Sequence, residues 1–360
     1  MQKNDNVYSF FMSAITPKGF VSNLKDLDNP EIYRKCYLVK GGAGSGKSTL
    51  IKSAAAILGS DNAPCEFIHC SLDPSSLDGA IFHRSGITFA DATAPHIIEP
   101  RFPSVFEEVV SLYECFDEKI LLNYKSEIIR ETEHKKTLLN RIESYVRAAG
   151  MLLSSNEEIS SRCLNSEKLS NYITRLCMRE FKKQSGKKGR AHNRYLSTLT
   201  SNGIVVFSDT ALKLCNKIYT VNDENGAVSG IIMDAVGRMA VSAGYDIYLC
   251  RCPMSSNGRI DHILIPELSL GFLTSNKFHP IEIENAKIIR SARFINKEKQ
   301  NEYAFRLNFQ RKAAKELLKE GAQLVGECLK THKGIEGLYS IGADNLKRQK
   351  IFDKTLSQFL

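Results

Sequence analysis

The segment Gly41-Gly42-Ala43-Gly44-Ser45-Gly46-Lys47-Ser48 fits the pattern G-x-x-x-x-G-K-[ST] at every fixed position, and nothing else in the chain restricts its architecture as much. Glycines at this spacing let the backbone turn tightly, so that successive N–H groups point inward at an anion. The run Cys36 to Lys40 ahead of it reads as a short buried strand. Apolar spacing from Ser48 to Leu58, ending near Gly59, reads as a helix whose positive end faces the same anion. Lys47 is then expected to reach β- and γ-phosphate oxygens, and the Ser48 hydroxyl to ligate Mg²⁺. The expected phosphate-binding residues are Gly41, Gly42, Ala43, Gly44, Ser45, Gly46, Lys47, Ser48 and Thr49, and the expected cofactors are ATP and Mg²⁺.

A phosphate loop of this kind needs an acid at the end of a neighbouring strand to hold the metal. The apolar run Gly86 to Ala90 ends in Asp91, which is the expected metal ligand, with Asp78 as the alternative. Lys47 and Asp91 are the expected catalytic residues. Many such ATPases carry a glutamate directly after the metal acid to position water, and here that place is Ala92. His69, Asp73, Asp78 and His96 are the nearby polar residues that remain for that task, so slow turnover is expected. With a further strand over Cys65 to Cys70, the order of elements predicts an α/β domain with a mainly parallel sheet. From Val105 to about Phe181 the pattern turns helical and charged, and residues Glu302 to Phe359 are its counterpart.

Laid over itself, the chain repeats. Met12 to Val21 matches Leu196 to Val205 at a shift of 184, Phe67 to Cys70 falls over Leu249 to Cys252 at 182, and His96 meets His279 at 183. This spacing predicts a tandem duplication of one domain, each copy followed by a helical segment. The expected divisions are residues 1–183, a basic linker at 184–191 rich in Gly and Lys, and residues 192–360. The second copy lacks the site: sliding Val39–Leu50 onto Val221–Ile232 puts Asp223 at Gly41, Glu224 at Gly42 and Ser229 at Lys47, while Thr274 takes the place of Asp91. With its cation replaced and two acids introduced, this copy is expected not to bind a triphosphate. Arg251, at the position of His69, is either a surface residue or a guanidinium directed at the phosphates.

Composition narrows the remainder. No apolar run approaches the roughly 20 residues of a membrane span, and the polar start Met1 to Asn6 has no secretory character, so cytoplasmic residence is the default expectation. The ten cysteines are scattered, and Cys250 and Cys252 lack the partners of a zinc site, so reduced thiols are expected. A net charge of +9 suits any anionic ligand; without interleaved aromatics in the basic stretch, nucleic acid is not the expected partner. Packing between the copies, and a protein partner or homo-oligomer, stay open. No guanine-reading N-K-x-D follows the glycine loop, which leaves ATP as the default nucleotide.

Thr16-Pro17-Lys18-Gly19, the glycine loop, His69-Cys70 with Asp73-Pro74 and Asp78, and Asp91 to His96 together resemble a family of uncharacterised bacterial P-loop ATPase-like proteins with two tandem copies. The resemblance spans nearly the whole length. It implies a P-loop fold and nucleotide binding but no substrate. Members typically keep a good loop in the second copy, and this sequence departs from that. The expected function is therefore a Mg-dependent ATPase with one live site and one pseudo-site. A small-molecule kinase with Asp73 or Asp78 as base is one alternative, and a nucleotide-responsive binding protein without enzymatic activity is the other.

Overall fold

The computed structural model describes residues 6–59, 63–182 and 188–360. The chain is α/β, with two mixed six-stranded sheets in which parallel pairs outnumber antiparallel ones. Its first half runs β1 (Val7–Phe11), β2 (Ser13–Thr16), β3 (Gly19–Ser22), β4 (Lys35–Lys40), α1 (Lys47–Leu58), β5 (Cys65–His69), β6 (Leu77–Phe82), β7 (Ile87–Asp91), β8 (Glu107–Ser111), α2 (Glu118–Leu122), α3 (Lys125–Arg162) and α4 (Ser166–Glu180). The second half runs β9 (Ala191–Arg194), β10 (Ser197–Thr200), β11 (Gly203–Val206), α5 (Ser208–Leu214), β12 (Lys217–Asn222), α6 (Ala227–Ser242), β13 (Ile247–Arg251), β14 (Ile260–Ile265), β15 (Leu270–Ser275), β16 (Lys287–Arg290), α7 (Lys297–Glu302), α8 (Ala304–Ile341) and α9 (Asn345–Leu356). Of the basic linker expected at 184–191, positions 184–187 lie outside the described residues, and β9 already begins at Ala191.

The first sheet has the order β1-β5-β6-β7-β4-β8, with β6 antiparallel to both neighbours and the other pairs parallel. Covered strands read as nearly continuous apolar runs rather than alternations, and β6 is buried at every position. The second sheet reads β9-β13-β14-β15-β12-β16 from its own first strand, again with only its third strand antiparallel to its neighbours. Small hairpins agree as well. In β2–β3 the Thr16 hydroxyl donates to the Gly19 carbonyl at 2.9 Å and accepts from the Lys18 N–H. In β10–β11 the Thr200 hydroxyl donates to the Gly203 carbonyl at 2.9 Å and accepts from the Asn202 N–H. One expectation needs correction here. The span from Val105 read as helical contains the edge strand β8, whose Val110 is drawn into the first core while Glu107 is buried on the N–H groups of Arg101 and Phe102 and Val109 is exposed.

The compact units do not follow the division at 1–183 and 192–360. One unit comprises residues 1–13, 22–142 and 323–360, and the other residues 14–21 and 143–322. The reason is where each terminal helix buries its apolar stripe. Leu169, Ile173 and Leu176 on α4 lie three and four residues apart, on one helical face. They join the second core with Val221, Val228 and Ile232. Reciprocally, Phe352 on α9 is 5% exposed and sits in the first core with Val39, Leu50 and Ile51. Phe359 adds edge-on contacts to Tyr37 and Phe89 at 5.4 and 6.1 Å between ring centres.

The C-terminal segment is thus structural for the sheet that carries the glycine loop. We expect Phe352→Ala to destabilise that unit by about 3–5 kcal/mol, as truncation of a buried phenylalanine does. We further expect residues 1–183 alone to lose cooperative unfolding. Denaturant melts of both species check this; a cooperative fragment of wild-type stability contradicts it.

Candidate functional site

The loop between β4 and α1 is built on left-handed glycines. Gly44 has φ 70° and Gly46 has φ 97°, conformations that cost other residues steric strain. Gly41 is held by close approach instead: a Cβ there would lie 2.4 Å from the Ser45 hydroxyl. Ser45 itself is buried against it. Gly46 is the N-cap of α1 and offers no side-chain cap, so the free N–H groups that open any helix face the loop interior. Ala43 and Gly42 lie on the half-buried arc of the loop, and Thr49 is exposed on the first turn of α1.

Lys47 folds back over this arc. Its ammonium donates to the carbonyls of Gly41 at 2.8 Å and Gly42 at 3.1 Å, and lies 3.6 Å from the Asp91 carboxylate. Asp91 closes β7, which pairs directly and in parallel with β4 and places it opposite Val39. Burial pushes the Asp91 carboxyl above its ordinary value, against the pull of Lys47 and the Thr93 N–H that donates to it at 2.8 Å. Thr93 also joins the loop: its hydroxyl lies 3.1 Å from both the N–H and the carbonyl of Gly41. The Ser48 hydroxyl accepts from the Leu77 N–H at 2.9 Å. Lys47 and Asp91 are thus brought together, while the Ser48 hydroxyl is engaged by the backbone at the start of β6.

The neighbouring candidates divide. Asp78 is buried on β6 beside His96, with its carboxylate 3.4 Å from Nε2, while His96 Nδ1 is 2.9 Å from the Ser22 hydroxyl. His69 uses Nδ1 on the Pro74 carbonyl at 2.7 Å and Nε2 on the Ser9 hydroxyl at 3.1 Å, a structural arrangement. Asp73 accepts from the N–H and hydroxyl of Ser75 and shapes a turn. Ala92 is buried where a water-positioning glutamate would stand.

Elements outside the first sheet complete the surroundings. A Cβ on Gly44 would lie 3.0 Å from the Glu336 carbonyl on α8, and one on Gly46 would lie 3.1 Å from Arg348 and 3.3 Å from Phe352 on α9. Glu336, Arg348 and Phe352, like Thr93, were not legible as site residues. In sequence they are ordinary members of amphipathic helices, and Thr93 is one residue of a turn.

The second half answers the same backbone problem differently. Its loop is two residues shorter between strand and left-handed N-cap, so Gly226 with φ 82° takes the role of Gly46 and Ala227, not Ser229, opens the helix. Asp223 fills the opening. Its carboxylate accepts from the N–H groups of Val228 and Ser229, both at 2.8 Å, and from that of Asn225 at 3.3 Å. Of the two acids, Asp223 is buried on these helix N–H groups, and Glu224 is exposed and accepts from the Lys277 N–H at 3.4 Å. A cation is also supplied. Arg259 packs on Gly226 and pairs with Glu157 at 2.7 Å and Asp261 at 3.2 Å. Against the cost of burial, Arg259 and then His279 hold Asp261 well below the usual carboxylate range. His279 lies 3.3 Å from Asp261, as His96 does from Asp78. Thr274 sits opposite Val221, the register position of Asp91, and carries no charge. Arg251 donates to the Gly258 carbonyl at 2.7 Å within its own loop. A cavity of about 300 Å³ beside Asp223 is lined by Asn225, Asn308 and Arg311.

Comparison with protein-family models, with curated proteins and with solved structures finds no match. Among the described residues no helix is long and apolar enough to cross a membrane. No cluster of three or more His, Cys, Asp or Glu side chains suited to a metal occurs among them either.

Asp223→Ala would leave buried N–H groups of α6 without a partner. We expect it to lower stability by about 1–3 kcal/mol, with the solvent-facing Glu224→Ala within about 0.5 kcal/mol of wild type. Urea denaturation of the two variants checks the contrast; equal effects would contradict the capping role.

Proposed function

We propose that the chain is a Mg-dependent ATP-binding protein and ATP hydrolase with one live site, at the glycine loop of its first half. The observation that carries this is the junction of Lys47, folded onto its own loop carbonyls, with Asp91 at the end of the parallel neighbouring strand. An ammonium resting on carbonyls in a cage of glycines and helix N–H groups is poised to transfer to phosphate oxygens. Gly41 to Thr49 cradle the phosphates in this reading. Ser48 and Asp91 would hold Mg²⁺, which takes few protein ligands and relies on waters and phosphate oxygens for the rest. The metal supplies charge neutralisation; Lys47 and the loop orient the phosphates.

The second half is a degenerate copy from a tandem duplication. Supporting this are the shared strand order, the matching Thr-Gly hairpins and the paired Asp–His contacts. In it Asp223 stands where a phosphate would bind, which makes the copy a pseudo-site. Asp73 is tied to Ser75 through one oxygen and Asp78 faces His96, which favours structural roles for both over that of a kinase base. The non-enzymatic, nucleotide-responsive reading draws on the buried Ala92 and on α8 resting against Gly44.

Calorimetric titration of Mg–ATP, with phosphate release followed in the same sample, tests this. Wild type should bind and turn over slowly, and Lys47→Ala should bind at least about 100-fold more weakly. Equal binding by both overturns the reading; binding without release selects the nucleotide-responsive protein. Asp91→Asn should weaken Mg²⁺ dependence without lowering the melting temperature of the nucleotide-free protein, because burial already disfavours its charge. An unchanged Mg²⁺ titration would move the metal role to Asp78.

A further inference from the structure

Beyond Lys47, helices α3 and α8 of the first unit place two more basic groups next to Glu336, whose backbone abuts Gly44. Lys135 Nζ lies 3.1 Å from His332 Nδ1, so an imidazole nitrogen accepts from the ammonium. That acceptance requires a neutral His332, whose Nε2 faces Glu336 at 3.6 Å. His332 and Glu336 are one helical turn apart, about 5.4 Å, and the Glu336 backbone is the part of α8 that abuts Gly44. The pair is therefore held about one turn from the loop, not on an open helix face.

Its electrostatic setting is unusual. Lys135 is half-buried and makes no ion pair with a carboxylate among the described residues. Burial lowers its pKa, Lys47 adds to that, and Cys328, Cys70 and Glu336 oppose it. Burial first, then Lys135 and Lys47, pushes His332 down to about 4, against Asp73 and Asp78. A buried ammonium beside a second ammonium is costly unless a negative group joins them. Asp91 already serves Lys47, and His96 faces Asp78.

We infer that Lys135, aimed by His332, is a second phosphate-binding cation of the first-half site and contacts the terminal phosphate of a nucleoside triphosphate. This rests on the nucleotide reading of the loop. The position follows from the neighbours. Lys47 reaches the β- and γ-phosphates, and Lys47, Asp73 and Asp78 are among the charges that act on His332. Arg348 and Phe352, by contrast, sit at Gly46, the start of α1. A diphosphate lacks the group that Lys135 would meet, so the pair discriminates ATP from ADP. His332 is a positioning residue: it keeps the flexible lysine directed without neutralising it.

The test is calorimetric titration of Mg–ATP and Mg–ADP into wild type, Lys135→Gln and Lys135→Arg. We expect Lys135→Gln to weaken Mg–ATP by about tenfold or more, the scale of a charge-assisted hydrogen bond, and Mg–ADP by less than about twofold. Lys135→Arg should keep most of the preference. In wild type, the NMR titration of the His332 imidazole should move up from about 4 when Mg–ATP is added and stay with Mg–ADP. Equal weakening of both nucleotides, no weakening of either, or an unmoved His332 with ATP bound overturns the inference while the loop reading stands. Failure of wild type to bind either nucleotide overturns both.

Discussion

A helix that opens on a left-handed glycine presents backbone N–H groups with no intrahelical partner, and in this protein both α1 and α6 open that way in the turn that follows a parallel strand. Such groups need an acceptor, and a negative one suits the helix dipole best. In α6 the partner is covalently present: the Asp223 carboxylate lies on the N–H groups of Val228 and Ser229, and Arg259 with Asp261 completes a closed set of charges. Among the described residues no side chain caps α1, and Lys47 is occupied with carbonyls of its own loop. Two answers to one backbone problem thus separate a loop closed by its own carboxylate from one that, in the proposed reading, takes a phosphate.

The terminal helices give this asymmetry a mechanical setting. The first unit's core is completed by Phe352 on α9, which also touches the glycine loop at Gly46, and α8 touches it at Gly44. Packing residues and loop residues are therefore neighbours, so a ligand in the loop and the helices over it bear on the same few side chains. A glycine is needed at both contact points for conformation and for space: each has positive φ, and each would place a Cβ within about 3 Å of a helix atom.

Much of the first sheet was legible. Strands at Cys36 to Lys40, Cys65 to Cys70 and Gly86 to Ala90 and the helix to Leu58 emerge within a residue or two, because buried parallel strands leave continuous apolar runs and the glycine loop marks a boundary. Strand β6 was missed, since Asp78-Gly79 interrupts its apolar run; Asp78 is tolerated there because it faces His96. Strand β8 was masked by its acidic edge. The destinations of α4 and α9 were not legible at all. An amphipathic stripe states that a face will be buried, not which sheet will bury it. The meeting of Lys47 with Asp91 was expected from the glycine pattern and from the apolar run that ends at Asp91. Lys135 and His332 were not, since a lysine on a charged helix looks the same whether it faces solvent or a loop. The two-residue shortening before Gly226 was hidden for a related reason: sliding the halves without a gap puts Ser229 on Lys47, whereas the backbone puts Ala227 there.

The central claim is that one loop requires an external anion and the other carries its own. Equilibrium dialysis with radiolabelled ATP and Mg²⁺ at saturating nucleotide measures this directly as nucleotide bound per chain. The account predicts one. A value of two would mean that Asp223 does not close the second loop, or that the cavity beside Asn225 and Arg311 takes nucleotide. A value of zero would mean that the glycine loop of the first half serves some other purpose.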